Sequence, residues 1–167
     1  VAESAHQVGT AIRALRRADR DPLLRILGAT EVFSDDELGI ARELIDIVLD
    51  RPGQRDYVIH VYEDDGGVAG YYCVGPTPAT DGTYDLYWIA VDPGRQGQGI
   101  GSQLMAHAEG LVRAMGGRLI IVETSSRPAY DPTRRFYRSA DYEEVARIRG
   151  YYRRDDDLVV FAKYVSQ

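Results

Sequence analysis

The chain has 167 residues, 44% of them hydrophobic and 28% charged, which suits one globular domain and excludes wholesale disorder. Its 20 basic and 26 acidic residues leave a net charge of -6, the wrong sign for a non-specific nucleic-acid binder. No apolar stretch approaches the roughly 18 residues that span a membrane, so no membrane-spanning helix is expected.

Residues 12–17 alternate apolar and basic side chains and predict a first strand. Asp19 or Asp21 then caps a helix, with Pro22 tolerated in its first turn. Ser34 and Glu37 form a capping box for a second helix, whose apolar face is Leu38, Ala41, Leu44, Ile45, Val48 and Leu49. The period then shortens. Residues 57–63 read as a strand, 64–67 as a turn and 68–74 as its hairpin partner. A loop with two prolines leads to a third strand over 84–91, stopped by Asp92-Pro93-Gly94. Ile100, Leu104, Ala108, Leu111, Val112 and Met115 mark a long amphipathic helix closed by Gly116-Gly117. Residues 119–122 are wholly apolar, as a buried strand requires. A short helix over 133–139 and strands over 143–149 and 158–164 complete the order β-α-α-β-β-β-α-β-α-β-β. Residues 84–122 form a β-α-β unit, which places two parallel strands side by side. Residues 1–10 are expected to form a disordered or trimmed tail, and 11–167 one domain.

The chemistry-bearing side chains are sparse. Cys73, the single cysteine, sits in an apolar run. It excludes an intramolecular disulfide and a cysteine-based zinc site, and a buried thiol in a reducing, cytoplasmic setting follows. His6, His60 and His107 are far apart in sequence, so no metal site is expected. Lys163 is the sole lysine among the 20 basic residues.

The most informative stretch is the turn Gln96, Gly97, Gln98, Gly99, Ile100, Gly101, Ser102, between a strand and an amphipathic helix. Glycines on alternate positions let backbone N–H groups converge, and a helix N-terminus adds unpaired donors. Together they suit a pyrophosphate. A P-loop is excluded because no Gly-Lys pair exists in the chain. A dinucleotide fingerprint starting at Gly97 requires a third glycine where Ser102 stands. The competing reading is a glycine-rich turn without a ligand.

Gln96-x-x-Gly99-x-Gly101, preceded by Ile89-Ala90-Val91-Asp92-Pro93, resembles the acetyl-CoA-binding motif of the GNAT N-acetyltransferase superfamily. Phe136-Tyr137, followed by Ala140-Asp141-Tyr142, is similar to a second segment of that family, F-Y-x-x-x-G-F. The resemblance covers residues 12–164. It implies an α/β (α+β) GNAT fold: a mixed, mostly antiparallel sheet of six to seven strands, flanked by about four helices. One central parallel β-α-β unit would have splayed strands. It further implies that residues 96–102 hold the pyrophosphate of acetyl-CoA, and that Ile89, Ala90 and Val91 offer a free strand edge to the pantetheine arm.

The implied reaction is attack of a neutral amine on a thioester. At a pKa near 10.4 only roughly one amine in 2,500 is neutral at pH 7, so a base is needed. Tyr137 matches the family's proton donor to the leaving thiolate. Glu123, at the end of the apolar strand, and Asp85, at the start of the preceding one, are the candidate bases, with water as the alternative. Glu37, Tyr130 and Tyr152 are the candidate acceptor-binding residues, drawn from the first helices and from loops, among them a late loop over 150–157. Two departures stand out: Tyr130 replaces a frequent asparagine, and Asp141 (or Ala140) replaces a glycine. The acceptor is expected to be a small-molecule or peptide amine, and monomer and homodimer both stay open. The rival reading is a non-catalytic acyl-CoA-binding or regulatory module on the same fold. A dinucleotide-binding enzyme is a third and weaker one.

Overall fold

The structure, a computed structural model, describes residues 11–166, so the tail expected over 1–10 lies outside the described residues. In chain order the elements are β1 (Ala11–Ala14), α1 (Arg20–Ala29), α2 (Asp35–Asp50), β2 (Val58–Asp64), β3 (Gly67–Pro76), β4 (Thr83–Val91), α3 (Ile100–Ala114), β5 (Leu119–Ser125), α4 (Asp131–Ser139), β6 (Glu143–Arg153) and β7 (Asp156–Tyr164). Among the described residues, seven strands form one sheet in the order β1-β2-β3-β4-β5-β7-β6. Only β4 and β5 run parallel; the other neighbouring pairs are antiparallel.

Strand alternation builds a core on each face of the sheet. Tyr72 and Val74 of β3 pack on the face covered by α3, with Ile100, Leu104, Ala108 and Val112, and α4 adds Tyr137 to the same cluster. Tyr71 and Cys73 pack on the opposite face, under Leu23 and Leu27 of α1 and Leu44 and Ile45 of α2. β3 is therefore buried from both sides along most of its length.

The feature that positions the site is a divergence of the two parallel strands. β4 and β5 pair only from Thr83 with Leu119 to Asp85 with Ile121. Beyond that point β4 keeps β3 alone. Opposite Cys73 and Val74 stand Trp88 and Leu86, so Tyr87 is an extra residue in β4. A bulge of this kind bends its strand and increases the local twist. The expected splay is thus present, and it leaves one edge of residues 86–91 unpaired.

Several local expectations change. β1 ends at Ala14 rather than at residue 17, and a 3-10 turn Arg17–Asp19 follows. Asp19 does not cap α1 through its side chain. It is buried and accepts both terminal nitrogens of Arg13 (2.7 and 2.9 Å) and the Arg16 amide (2.7 Å). α4 starts at Asp131, with a proline in its first turn, so it is two residues longer than the periodicity predicts. The late strands run through most of the loop expected over 150–157, which shrinks to a tight turn. His60 and His107, distant in sequence, meet with ring centroids 5.0 Å apart. Burial lowers both imidazoles, His60 to about 4, and the Tyr72 hydroxyl bonds His107 Nδ1 at 2.8 Å. Among the described residues no three His, Cys, Asp or Glu side chains gather around a metal position.

Candidate active site

The cofactor half starts where β4 loses β5. Ile89, Ala90 and Val91 pair with Tyr72, Tyr71 and Gly70 of β3 on one side only. A strand's backbone groups alternate between its two sides, so the other edge carries unpaired donors and acceptors. The Asp92 amide closes onto Ala69 O at 2.8 Å, and Asp92 Oδ1 accepts the Gly94 amide at 2.9 Å, which ends β4 sharply. Arg95 then grips Asp64 of β2 through both terminal nitrogens. That guanidinium holds the Asp64 carboxyl down at about 2. Gln96 Nε2 reaches back to Val91 O at 3.4 Å.

The turn itself needs its glycines. Gly97 and Gly99 have φ of 77° and 79°, the left-handed region that side chains rarely adopt. A Cβ on either would meet no atom within 4 Å, so the space beside the turn is open. Gly99 is the N-cap of α3 and no side chain caps the helix. The first helical bond is Gln103 N to Gly99 O, at 3.1 Å. The amides of Ile100, Gly101 and Ser102 therefore have no acceptor within the helix. Ile100 is buried and fixes the helix start, while Gln96, Gln98 and Ser102 are exposed. A Cβ on Gly101 would lie 3.3 Å from Phe136 Cε2, so Gly101 lets α4 pack against the turn. Free amides, a positive dipole end and open space fit a pyrophosphate, and the free β4 edge fits an amide-bearing arm.

An open cleft of about 640 Å³ continues from this edge between β4, β5, the start of α2 and the β6–β7 hairpin. It gathers Asp85, Ile89, Glu123, Tyr137, Glu37, Tyr130 and Tyr152 from the expected residues. Ala90, Val91 and residues 96–102 lie outside it, along the strand edge and turn. Glu123 sits two residues inside β5 rather than at its end, beyond the last β4–β5 pair. Its side chain is exposed and makes no hydrogen bond or ion pair among the described residues. Asp85 lies inside β4 and accepts the Thr77 hydroxyl at 2.6 Å, so its carboxylate is already engaged. Tyr137 is 5% exposed, and its ring packs against Tyr142 and Phe161 at centroid distances of 6.2 and 5.6 Å. Burial raises its phenol above the ordinary value, so it stays protonated at neutral pH.

Two of the acceptor candidates, Glu37 and Tyr130, are linked to each other. The Ser34–Glu37 capping box is present: the Glu37 amide donates to Ser34 Oγ (3.3 Å) and the Ser34 amide to Glu37 Oε2 (2.7 Å). Glu37 also accepts the Tyr130 hydroxyl at 2.6 Å. Burial works to raise the Glu37 carboxyl, but the bonds from Tyr130 and Ser34 and the Arg127 charge outweigh it and hold it low. Tyr152 is pushed up to about 12, by burial first and then by the Glu123 charge. Asp141, the expected glycine replacement, adopts φ 63° and so supplies the left-handed turn that a glycine would. Lys163 is not free: its Nζ bonds Glu109 Oε1 at 2.9 Å and Ala140 O at 2.8 Å. Phe33, Trp88, Arg127 and Asp156 also line the cleft, and no local sequence pattern marks them.

Comparison with known proteins agrees with this geometry. The sequence model of the acetyltransferase (GNAT) domain matches residues 55–144. The N-alpha-acetyltransferase RimI of Mycobacterium tuberculosis is 38% identical over 87 residues, 52% of this chain and 51% of that protein, so the match spans about half the curated relative. A crystal structure of a GNAT-family protein from Desulfovibrio desulfuricans has 40% identity and a TM-score of 0.90, covering 95% of this chain and 100% of that one. The ribosomal-protein-S18-alanine N-acetyltransferase of Escherichia coli shares the fold, with a TM-score of 0.75 at 22% identity over 95% of this chain and 96% of that one.

Proposed function

Since this chain belongs to the GNAT acetyltransferase family, we propose that it moves an acetyl group from acetyl-CoA to a primary amine by direct attack within a ternary complex. The observation that carries the reading is the divergence of β4 from β5, with the uncapped glycine turn at one end and Glu123 and Tyr137 at the other. Acetyl-CoA supplies a thioester-activated acetyl group. Its phosphates suit the amides at the start of α3, and its amide arm suits the free edge of Ile89, Ala90 and Val91.

The amine arrives mostly as an ammonium, which is unreactive. Glu123 takes the proton, directly or through one water, because its carboxylate is exposed to the cleft and has no other partner. Asp85 is the weaker candidate because Thr77 already occupies it. The amine nitrogen then forms its bond to the carbonyl carbon as the carbon–sulfur bond breaks. Tyr137 hands its hydroxyl proton to the departing sulfur, and the second proton, lost by the nitrogen as the amide forms, returns to the phenolate through water. Burial acts on both partners of that transfer, weakening the phenol as a donor and strengthening a thiolate as an acceptor. It raises the phenol, but it also raises a thiol: Cys73 in this same protein is pushed up to about 12 by burial alone. A thiolate leaving beside Tyr137 gains basicity from the same cause.

The acceptor is a small-molecule or peptide amine. A peptide α-amino group draws support from the likeness to the N-alpha-acetyltransferase RimI. The test is an amine panel that includes peptide N-termini, with release of free thiol as the signal and calorimetry for CoA binding. Thiol release that depends on an amine is expected. CoA binding with no turnover on any amine would instead indicate an acyl-CoA-binding module, and absence of CoA binding would sink both.

A further inference from the structure

Three segments distant in sequence wall the acceptor half of the cleft: the start of α2, the connection after β5, and the β6–β7 hairpin. One side chain reaches across all three. Arg127 Nε lies 3.3 Å from Asp156 Oδ2 at the start of β7, and Arg127 Nη2 lies 3.7 Å from Glu37 Oε2 on α2. Its guanidinium also sits 5.2 Å over the Tyr130 ring.

Both ends of this bridge are firmly held. Asp156 is 4% exposed and accepts the Ser125 hydroxyl at 2.5 Å and the Ser126 amide at 3.2 Å. Glu37 is tied to Ser34 and Tyr130. The Arg127 backbone is fixed as well: its amide donates to Ser125 Oγ at 3.0 Å, and its carbonyl accepts from Arg134 Nη1 at 3.1 Å. Arg134 is itself 6% exposed.

The bridge between these anchors is looser. Charge-assisted bonds run at about 2.7–2.9 Å, shorter than either contact of Arg127. Its side chain keeps 36% of its surface exposed. Arg127 is therefore a strut across an open cleft rather than a core ion pair. A guanidinium stays protonated throughout the useful pH range, so it cannot share in the acid–base chemistry.

Building on the acetyltransferase reading, we propose that Arg127 is a positioning residue that sets acceptor specificity. By tying α2 to the β6–β7 hairpin it fixes the width of the acceptor half. It thereby limits the girth of the primary amine that reaches Glu123. Arginine suits the task because its planar fork faces two carboxylates at once, whereas a lysine ammonium can hold them only one at a time and so keeps part of the tie.

The test compares the wild type with Arg127→Met and Arg127→Lys on primary amines of graded bulk. Arg127→Met keeps an apolar stem and removes both bridges. It should raise KM for slim amines about tenfold, because a wider cleft contacts a slim amine less closely. Bulky amines should be favoured relative to slim ones. Across the panel kcat should change less than KM, and CoA affinity should hold. Arg127→Lys should restore part of the selectivity. Unchanged selectivity, equal loss across the panel, loss of CoA affinity in parallel with activity, or no rescue by lysine would each overturn the proposal. A thermal shift induced by CoA confirms that each variant is folded. Silence of the wild type on every amine would sink the acetyltransferase reading itself, and this proposal with it.

Discussion

The two halves of the candidate site are built by different means. The cofactor half is contiguous in sequence: residues 86–102 supply the free strand edge, the turn and the helix start. What it offers is backbone. The acceptor half is assembled from side chains that meet across the fold; the Tyr130–Glu37 bond joins residues 93 positions apart. A ligand recognised through backbone amides demands particular φ values, and those values are written as glycines. A ligand recognised through side chains leaves no such mark.

The strongest way to separate the halves acts where they join. Tyr137→Phe removes a hydroxyl at the cleft without touching the glycine turn. It should lower kcat about 1,000-fold, the scale of a lost general acid. CoA affinity by calorimetry should stay within a few fold. A kcat within a few fold of wild type would remove Tyr137 from the proton-transfer role and favour a water donor.

Breaking the cofactor half alone should have the next largest effect. Gly99→Val forces a β-branched residue to the φ of 79° at the N-cap of α3. The strain costs about 1–2 kcal/mol and displaces the amides proposed to meet the phosphates. CoA affinity should fall about 100-fold, since displacements near 1 Å have consequences of that size. The melting temperature should drop only slightly. Retained CoA affinity would mean that the strand edge, not the turn, carries cofactor binding.

The same contrast explains what could be read without a structure. The order of elements along the chain, the β-α-β unit and the glycine turn were legible, because periodicity and alternate glycines act locally, while the splay followed only from the family resemblance. The capping box at Ser34 and Glu37 was legible for the same reason. Its second use was not: Glu37 also receives Tyr130, and no sequence spacing joins those residues. Asp19 shows the opposite failure. A helix-capping position was apparent, but burial against Arg13 takes its carboxylate away from the cap. Arg127 carried no signal, because an arginine beside serines is ordinary surface text, and Asp156 was marked only as one acidic residue of the loop expected over 150–157. The hairpin was misjudged because Gly150 and the charged run beside it suggest a loop. In the structure a left-handed glycine with φ 62° bulges a continuing strand.

A smaller effect sharpens the account of how the turn is anchored. Asp64→Asn loosens the grip of Arg95 and should weaken CoA binding a few fold while lowering the melting temperature at pH 7. The pH dependence follows from the depressed carboxyl, at about 2 against an ordinary 3.8. A carboxylate held below its unfolded value stabilises the fold above pH 3.8. That contribution fades as pH falls through about 2. The melting difference between wild type and variant should therefore be full at neutral pH and close across that window. A difference that persists below pH 2 would assign the effect to lost packing rather than to charge.

The smallest expected signal asks whether the cofactor half is as stiff as its backbone construction implies. Cys73 lies on β3 directly opposite Trp88, beside the bulge at Tyr87, and is fully buried. Its thiol is pushed up to about 12, so almost no thiolate exists at pH 8. A thiol reagent should leave the native protein unlabelled at that pH and modify one cysteine per chain in denaturant. Labelling can then proceed only by lifting α1 and α2 from the sheet face over Cys73 or by global unfolding. If the sheet is rigid, the labelling rate should track the global unfolding equilibrium as denaturant is varied. Bound CoA should slow it further, because it favours the folded state. Fast labelling in native buffer, suppressed by CoA alone, would show instead that α1 and α2 lift from β3 locally and that this layer is ordered by the ligand.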